Sequence, residues 1–164
     1  MYSGGVAESD LGDLVYVLTL ARRRDGALRR RRDLAAHLGV AVSTLNDWEA
    51  GRDAPTLLNL IRWASVFDLR IAICNARGDY PLTESVADAD QAWEVRQARR
   101  LFRALAEIRN RLSMTQLELA QSLEVTDATV LRWEHGRRHP RLLALLRWTR
   151  ELGWVVQLRA VNPS

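Results

Sequence analysis

The chain is 164 residues long, 48% hydrophobic and 27% charged, with a formal net charge of +4, enough apolar material for one ordinary core or two small ones. Its single cysteine, Cys74, excludes an intramolecular disulfide and a cysteine-based metal site, and its three histidines lack a zinc-ligand spacing. No long apolar run and no basic-apolar leader opens it, so a soluble, cytoplasmic protein with no membrane association and no cofactor is expected.

Residues 1–9 read as a frayed tail. From Asp10, the apolar positions Leu11, Leu14, Leu18 and Ala21 recur at helical spacing until Asp25-Gly26 stops them. A short helix follows over Arg31 to Leu38, and Gly39 supplies a left-handed turn residue. A third helix opens at Ala41 or Ser43, runs through Trp48 to Ala50 and closes at Gly51. Pro55 and Thr56 start a fourth, with Leu57, Leu60, Ile61 and Ala64 on one face. The period then changes to two: Leu69, Ile71 and Ile73 alternate with Arg70, Ala72 and Cys74 in a short strand. Residues 76–89, with Gly78, Pro81 and several acids, form a linker. The same order returns with helices from Asp90, near Thr115 to Ser122, Asp127 to His135 and Pro140 to Leu152, and a strand near Trp154 to Arg159.

That return is an internal duplication. Slid by 85 residues without a gap, residues 16–73 fall on 101–158, so that Leu34-Ala35, Leu38, Val40, Trp48-Glu49, Gly51-Arg52, Pro55 and Arg62-Trp63 land on Leu119-Ala120, Leu123, Val125, Trp133-Glu134, Gly136-Arg137, Pro140 and Arg147-Trp148. Each copy is too long for a stacking solenoid repeat and about the length of a small helical domain, which predicts two tandem domains at 10–75 and 90–161. Neither short strand is stable alone, so the two are expected to pair antiparallel across a pseudo-two-fold axis. The pairing is open to either one chain or a homodimer joined through its C-terminal strands. The matched tryptophans Trp48/Trp133 and Trp63/Trp148 point to core packing, and either Trp93 or Trp154 is available to plug the seam between copies.

All 24 basic residues are arginine, whose forked donors suit phosphate. They concentrate on the repeats: residues 16–73 hold 10 Arg against 6 acids and residues 101–158 hold 9 against 6. Positive charge placed there is what an anionic partner requires. No paired carboxylates, Ser-His-Asp arrangement or phosphate-cradling glycine loop argues for an enzyme.

Two short helices joined by a three- to four-residue turn, inside a basic four-helix unit, make a helix-turn-helix the leading interpretation. Gln116-Leu117-Glu118-Leu119-Ala120, Leu123, Val125, Thr129-Val130, Trp133-Glu134, Gly136, Pro140 and Leu143 resemble the lambda-repressor and Cro-like helix-turn-helix family (XRE type). Copy one is similar through Asp33-Leu34-Ala35-Ala36, Leu38-Gly39-Val40, Ser43-Thr44-Leu45, Trp48-Glu49, Gly51-Arg52 and Pro55. The fold class is therefore mainly α: two tandem domains of about four helices and a short strand each.

In each third helix one face packs inward. The other carries Val42, Ser43, Asn46 and Asp47 in copy one, and Asp127, Ala128, Leu131 and Arg132 in copy two. By the resemblance, base-reading positions fall on Ala41, Val42, Ser43 and Asp47, and on Thr126, Asp127, Ala128 and Arg132; the phosphate-clamping position at the start of the second helix is Arg31 or Gln116. Arg132 is the strongest candidate, because a guanidinium can grip guanine with two hydrogen bonds. Thr126 is expected to cap its helix. Arg137, Arg138, His139 and Arg141 read as phosphate contacts, as do Arg52 and the run Arg29 to Arg32 in copy one. Glu124 stands where copy one has Gly39, so a residue with a Cβ must accept a left-handed turn.

The resemblance implies a sequence-specific transcriptional regulator, a repressor included, that binds double-stranded DNA. It would be bacterial or phage in origin, cytoplasmic and nucleoid-associated. Its two copies would imitate a dimer on an imperfect palindrome. The alternative is a protein-interaction module, such as an antitoxin or a regulator's partner, for which the apolar and acidic outer face of copy one speaks.

Overall fold

The computed structural model describes residues 4–161, with α1 (Gly4–Arg24), α2 (Arg31–Leu38), α3 (Val42–Glu49), α4 (Leu57–Val66), β1 (Leu69–Asn75) and β2 (Gly78–Asp79) in its first part. A 3₁₀ turn at Val86–Asp88 leads to α5 (Trp93–Arg111), α6 (Gln116–Leu123), α7 (Asp127–Glu134), α8 (Leu142–Glu151) and β3 (Val155–Ala160). The order is mainly helical and tandem, as the sequence implies.

β1 and β3 pair antiparallel within the chain, and Ala72 faces Gln157, its own counterpart 85 residues on. A register centred on matched residues is what a two-fold relation between the copies requires, so no second chain is needed to pair the strands. β2 adds a short edge strand on the far side of β1, in the order β2-β1-β3. Helix packing follows the same symmetry: α1 lies against α8, and α5 against α4. The first helix of each copy therefore covers the fourth helix of the other. As a result the buried hydrophobic side chains of both copies form one continuous cluster.

The tryptophans anchor it in duplicate. Trp48 and Trp63 lie 5.8 Å apart at 31°, and Trp133 and Trp148 repeat both values. Trp154 meets Tyr80 edge-on at 5.4 Å, joining β3 to the segment between the copies. Trp93, in contrast, is 42% exposed at the start of α5 and plugs no seam.

Other expectations about the elements need correction. Residues 4–9 of the expected tail are helical, while residues 1–3 lie outside the described residues. Ala7 is buried and Asp10 accepts two hydrogen bonds from Arg150 of α8, at 2.8 and 2.7 Å, so docking on the other copy extends α1. Secondly, α5 begins at Trp93 and not at Asp90, because the chain before it is drawn in by Asp88, a buried carboxylate that Arg99 and Arg103 both reach.

Thirdly, β1 does not alternate: Ile71 to Cys74 are all buried. It is the central strand, and the small side chain of Cys74 lies under Asp79, to which its thiol donates at 3.1 Å. Asp79 is itself held by Arg70 at 2.9 Å and Arg159 at 3.3 Å.

Finally, the gapless alignment fails in the first helix. Six residues join α1 to α2 and four join α5 to α6, so there the true offset is 87. Leu14, Leu18 and Arg22 then match Leu101, Leu105 and Arg109, and all six are buried.

Candidate nucleic-acid interface

Each helix-turn-helix is set by a three-residue turn whose first residue is left-handed, Gly39 (φ 69°) in copy one and Glu124 (φ 58°) in copy two. Glycine adopts that region without steric cost; for Glu124 the Cβ makes it strained by about 1 kcal/mol. Copy two is better capped. Thr115 and Glu118 form a reciprocal capping box at α6, and the Thr126 hydroxyl accepts from the Thr129 N–H at 3.1 Å, so Thr126 is the cap of α7. The corresponding N-caps in copy one, Arg30 and Ala41, make no side-chain capping bond.

A buried carboxylate fixes the angle of each second helix. Glu49 closes α3 and receives Arg22 from α1 at 2.7 and 2.8 Å, together with Arg31 from α2 at 2.8 Å. Its counterpart Glu134 receives Arg109 at 2.5 and 3.0 Å and Gln116 at 2.9 Å. Burial pushes the Glu49 carboxyl up, but its hydrogen bonds and ion pairs with Arg22 and Arg31 outweigh that and hold it below its ordinary value. Arg22 and Arg109 are structural residues that sequence reasoning missed. The two-residue insertion hides their correspondence, since Arg22 lies 27 residues before its glutamate and Arg109 lies 25 before its own.

Outward from these anchors the two helices differ. On α7, Asp127, Ala128 and Arg132 are exposed, and Arg132 makes no side-chain hydrogen bond or ion pair among the described residues. Asp127 is turned back to the N–H of Ala128 at 2.9 Å. Arg137, Arg138 and Arg141 are exposed just beyond, and Arg138 and Arg141 share a depression of about 320 Å³ beside Trp133. On α3, Val42 and Ser43 are exposed, but Asp47 and Arg52 close on each other at 2.8 Å. Asn46 departs from its expected place on the outer face: it is half-buried, with its carboxamide oxygen shielded and unbonded.

Of the arginine run, Arg31 is partly spoken for by Glu49, and Arg32 lies 4.0 Å from Asp33. Arg29 and Arg30 are exposed at the mouth of α2. His139 packs edge-on against Phe102 at 5.3 Å, and burial lowers its pKa, with Arg99 adding to the effect. Its ring belongs to the edge of the core. Arg52 of copy one and Arg141 of copy two line a single groove, so the segments that follow α3 and α7 meet on one side of the molecule.

A tandem pair of helix-turn-helix units with duplicated tryptophan cores, the second with exposed arginines on and just beyond its third helix, defines a class of DNA-binding protein. The helix-turn-helix family model matches residues 20–73 and again 105–155, more than half of the chain. The chain therefore belongs to the XRE-type, lambda-repressor-like helix-turn-helix family, as two tandem copies, and is a DNA-binding regulator of that type. No curated protein and no solved structure matches it. Among the described residues no helix is long and apolar enough to cross a membrane.

Proposed function

We propose that the chain is a sequence-specific transcriptional regulator in which the copies act as a built-in dimer, α3 and α7 each entering a major groove of double-stranded DNA at an imperfect palindrome. The observation that carries this reading is the pairing of Ala72 with its own counterpart Gln157, because palindromic half-sites demand two reading helices related by a two-fold axis. Successive grooves lie about 34 Å apart on one face of the duplex.

The division of labour is unequal. In copy two Arg132 reads a guanine and Arg137, Arg138 and Arg141 hold phosphates, with Gln116, Thr126, Asp127 and Ala128 along the groove wall. In copy one Val42 and Ser43 touch thymine methyls or sugar edges, and Arg31 and Arg52 approach phosphate. A mobility-shift selection on genomic fragments at low salt checks this, with a retained sequence over excess nonspecific DNA as the expected result; no retained sequence sinks it. Arg132→Ala should cost about 1 to 3 kcal/mol on the selected site and little on random DNA. Arg138→Ala should weaken both and lower the salt slope by about 1. Equal losses for both variants on both DNAs refute that division. A stoichiometric protein partner, bound with DNA affinity unchanged, would favour the interaction-module alternative.

A further inference from the structure

Four arginines of α5 hold the linker between the copies. Arg96 donates to the Ala89 carbonyl at 3.4 Å, Arg100 to that of Leu82 at 2.8 Å, Arg103 to that of Thr83 at 2.9 Å, and Arg99 to the Asp88 carboxylate at 3.2 Å. Asp88 is 3% exposed and takes Arg103 as well. Among the described residues Arg99 donates to no other group, and its Nε is buried and makes no hydrogen bond. That side chain lies instead against the turn after α7, its Nε 3.0 Å from where a Cβ of Gly136 would stand. Three residues on, Phe102 takes His139 edge-on at 5.3 Å, and burial, then the charge of Arg99, lower the His139 pKa. Arg99 and Phe102 thus support both ends of residues 136–139, the turn that leaves Arg137 and Arg138 exposed. Copy one has the turn without the support. With the offset of 87 in the first helices and 85 elsewhere, Gly12, Val15 and Ala54 stand for Arg99, Phe102 and His139, and a Cβ on Gly51, the counterpart of Gly136, would meet nothing within 4 Å.

We infer, resting on the phosphate role proposed for Arg137 and Arg138, that Asp88 is a positioning residue for DNA binding: from the linker it holds Arg99 beneath the turn at 136–139 and so presets both arginines. A loop ordered before binding spares the complex the cost of ordering it. A buried carboxylate facing two guanidiniums is a firm hold, since charge-assisted hydrogen bonds are roughly twice as strong as neutral ones. It acts on copy two alone, because Gly12 offers copy one no side chain to hold.

Two measurements on the full chain test this. Without DNA, amide hydrogen exchange is followed at Arg137, whose N–H donates to the Arg132 carbonyl at 2.9 Å, and at its counterpart Arg52, whose N–H donates to that of Asp47 at 2.9 Å. Asp88→Asn should speed exchange at Arg137 about tenfold and leave Arg52 unchanged. Equal acceleration at both, or none at Arg137, overturns the proposal. Should that variant fail to fold, Gly136→Ala and Gly51→Ala form a matched pair: φ is 68° and 73°, so both carry left-handed strain, but only the first displaces Arg99. Exchange at Arg137 in the first should then rise about fivefold more than exchange at Arg52 in the second, and an equal rise counts against the hold. With the DNA sequence that the native chain retains, Asp88→Asn is compared with Glu84→Gln, which removes the same charge from the linker beside Arg100. Losing a negative charge by itself strengthens DNA binding, so a loss of about fivefold for Asp88→Asn, with none for Glu84→Gln, is the signature of positioning. A gain for Asp88→Asn would mean that Asp88 only masks arginines, and overturns it. The exchange arm reads the turn whether or not DNA binds, so a failure there is separate from a failure of the DNA-binding reading.

Discussion

Five residues apart at matched positions, copy one carries Asp47 closed onto Arg52, whereas copy two carries Arg132 and Arg137, both exposed. Around that difference the framework is the same, down to the tryptophan spacing and the buried glutamate at the end of each reading helix. Core positions are constrained by close packing, where a change of one methylene is felt, while an exposed face tolerates a reversal of charge. Divergence on the outside thus leaves one third helix whose acid closes on the arginine beyond it and one whose arginines stay exposed.

The sharpest way to break the comparison is at the buried carboxylates. Arg109→Ala leaves Glu134 with only the neutral Gln116, and removing one partner of a buried pair costs about 3 to 5 kcal/mol. Arg22→Ala leaves Glu49 still paired with Arg31, so its loss should be clearly smaller. Urea midpoints of the two variants decide, and equal losses would show that Arg31 does not substitute.

A pH titration probes the same site from the other side. The Glu49 carboxyl is held below its ordinary value of 4.5, so the stability it contributes is present above that pH and drains away as pH falls through the lower folded value. Glu49→Gln should flatten that part of the acid limb. A limb of unchanged steepness would mean that other carboxylates carry it.

Next in size are the turns. Glu124→Gly should raise stability by about 1 kcal/mol, because glycine relieves the left-handed strain, and Gly39→Ala should lower it by a similar amount. Thermal melts of the pair read both signs. Smallest is the outer face of copy one. An exposed ion pair is worth well under about 1 kcal/mol, so Asp47→Ala should leave the fold intact while freeing Arg52, steepening the salt dependence of DNA binding by about 0.9. If the slope does not move, Arg52 makes no phosphate contact.

Much of this was legible in the chain. The helix order, the left-handed turn at Glu124, the capping role of Thr126 and the paired tryptophans follow from local rules of periodicity and stereochemistry. The start of α1, the burial of Ala72 and Cys74 and the inward set of Asn46 do not, since each depends on a neighbour distant in sequence. The contrast between Gly12 and Arg99 was hidden for a further reason: the two line up only after the two-residue insertion between α1 and α2 is recognised, and a gapless match conceals it.

The residues alone established a doubled helix-turn-helix with a basic exterior, because hydrophobic period, caps and turns are set within a few residues of chain. Only the folded chain decided that the first helix of each copy also packs on the fourth helix of the other, that the copies share one core and that Ala72 pairs with Gln157. Those choices rest on contacts between segments scores of residues apart, where shape and burial, and not local propensity, select the partner.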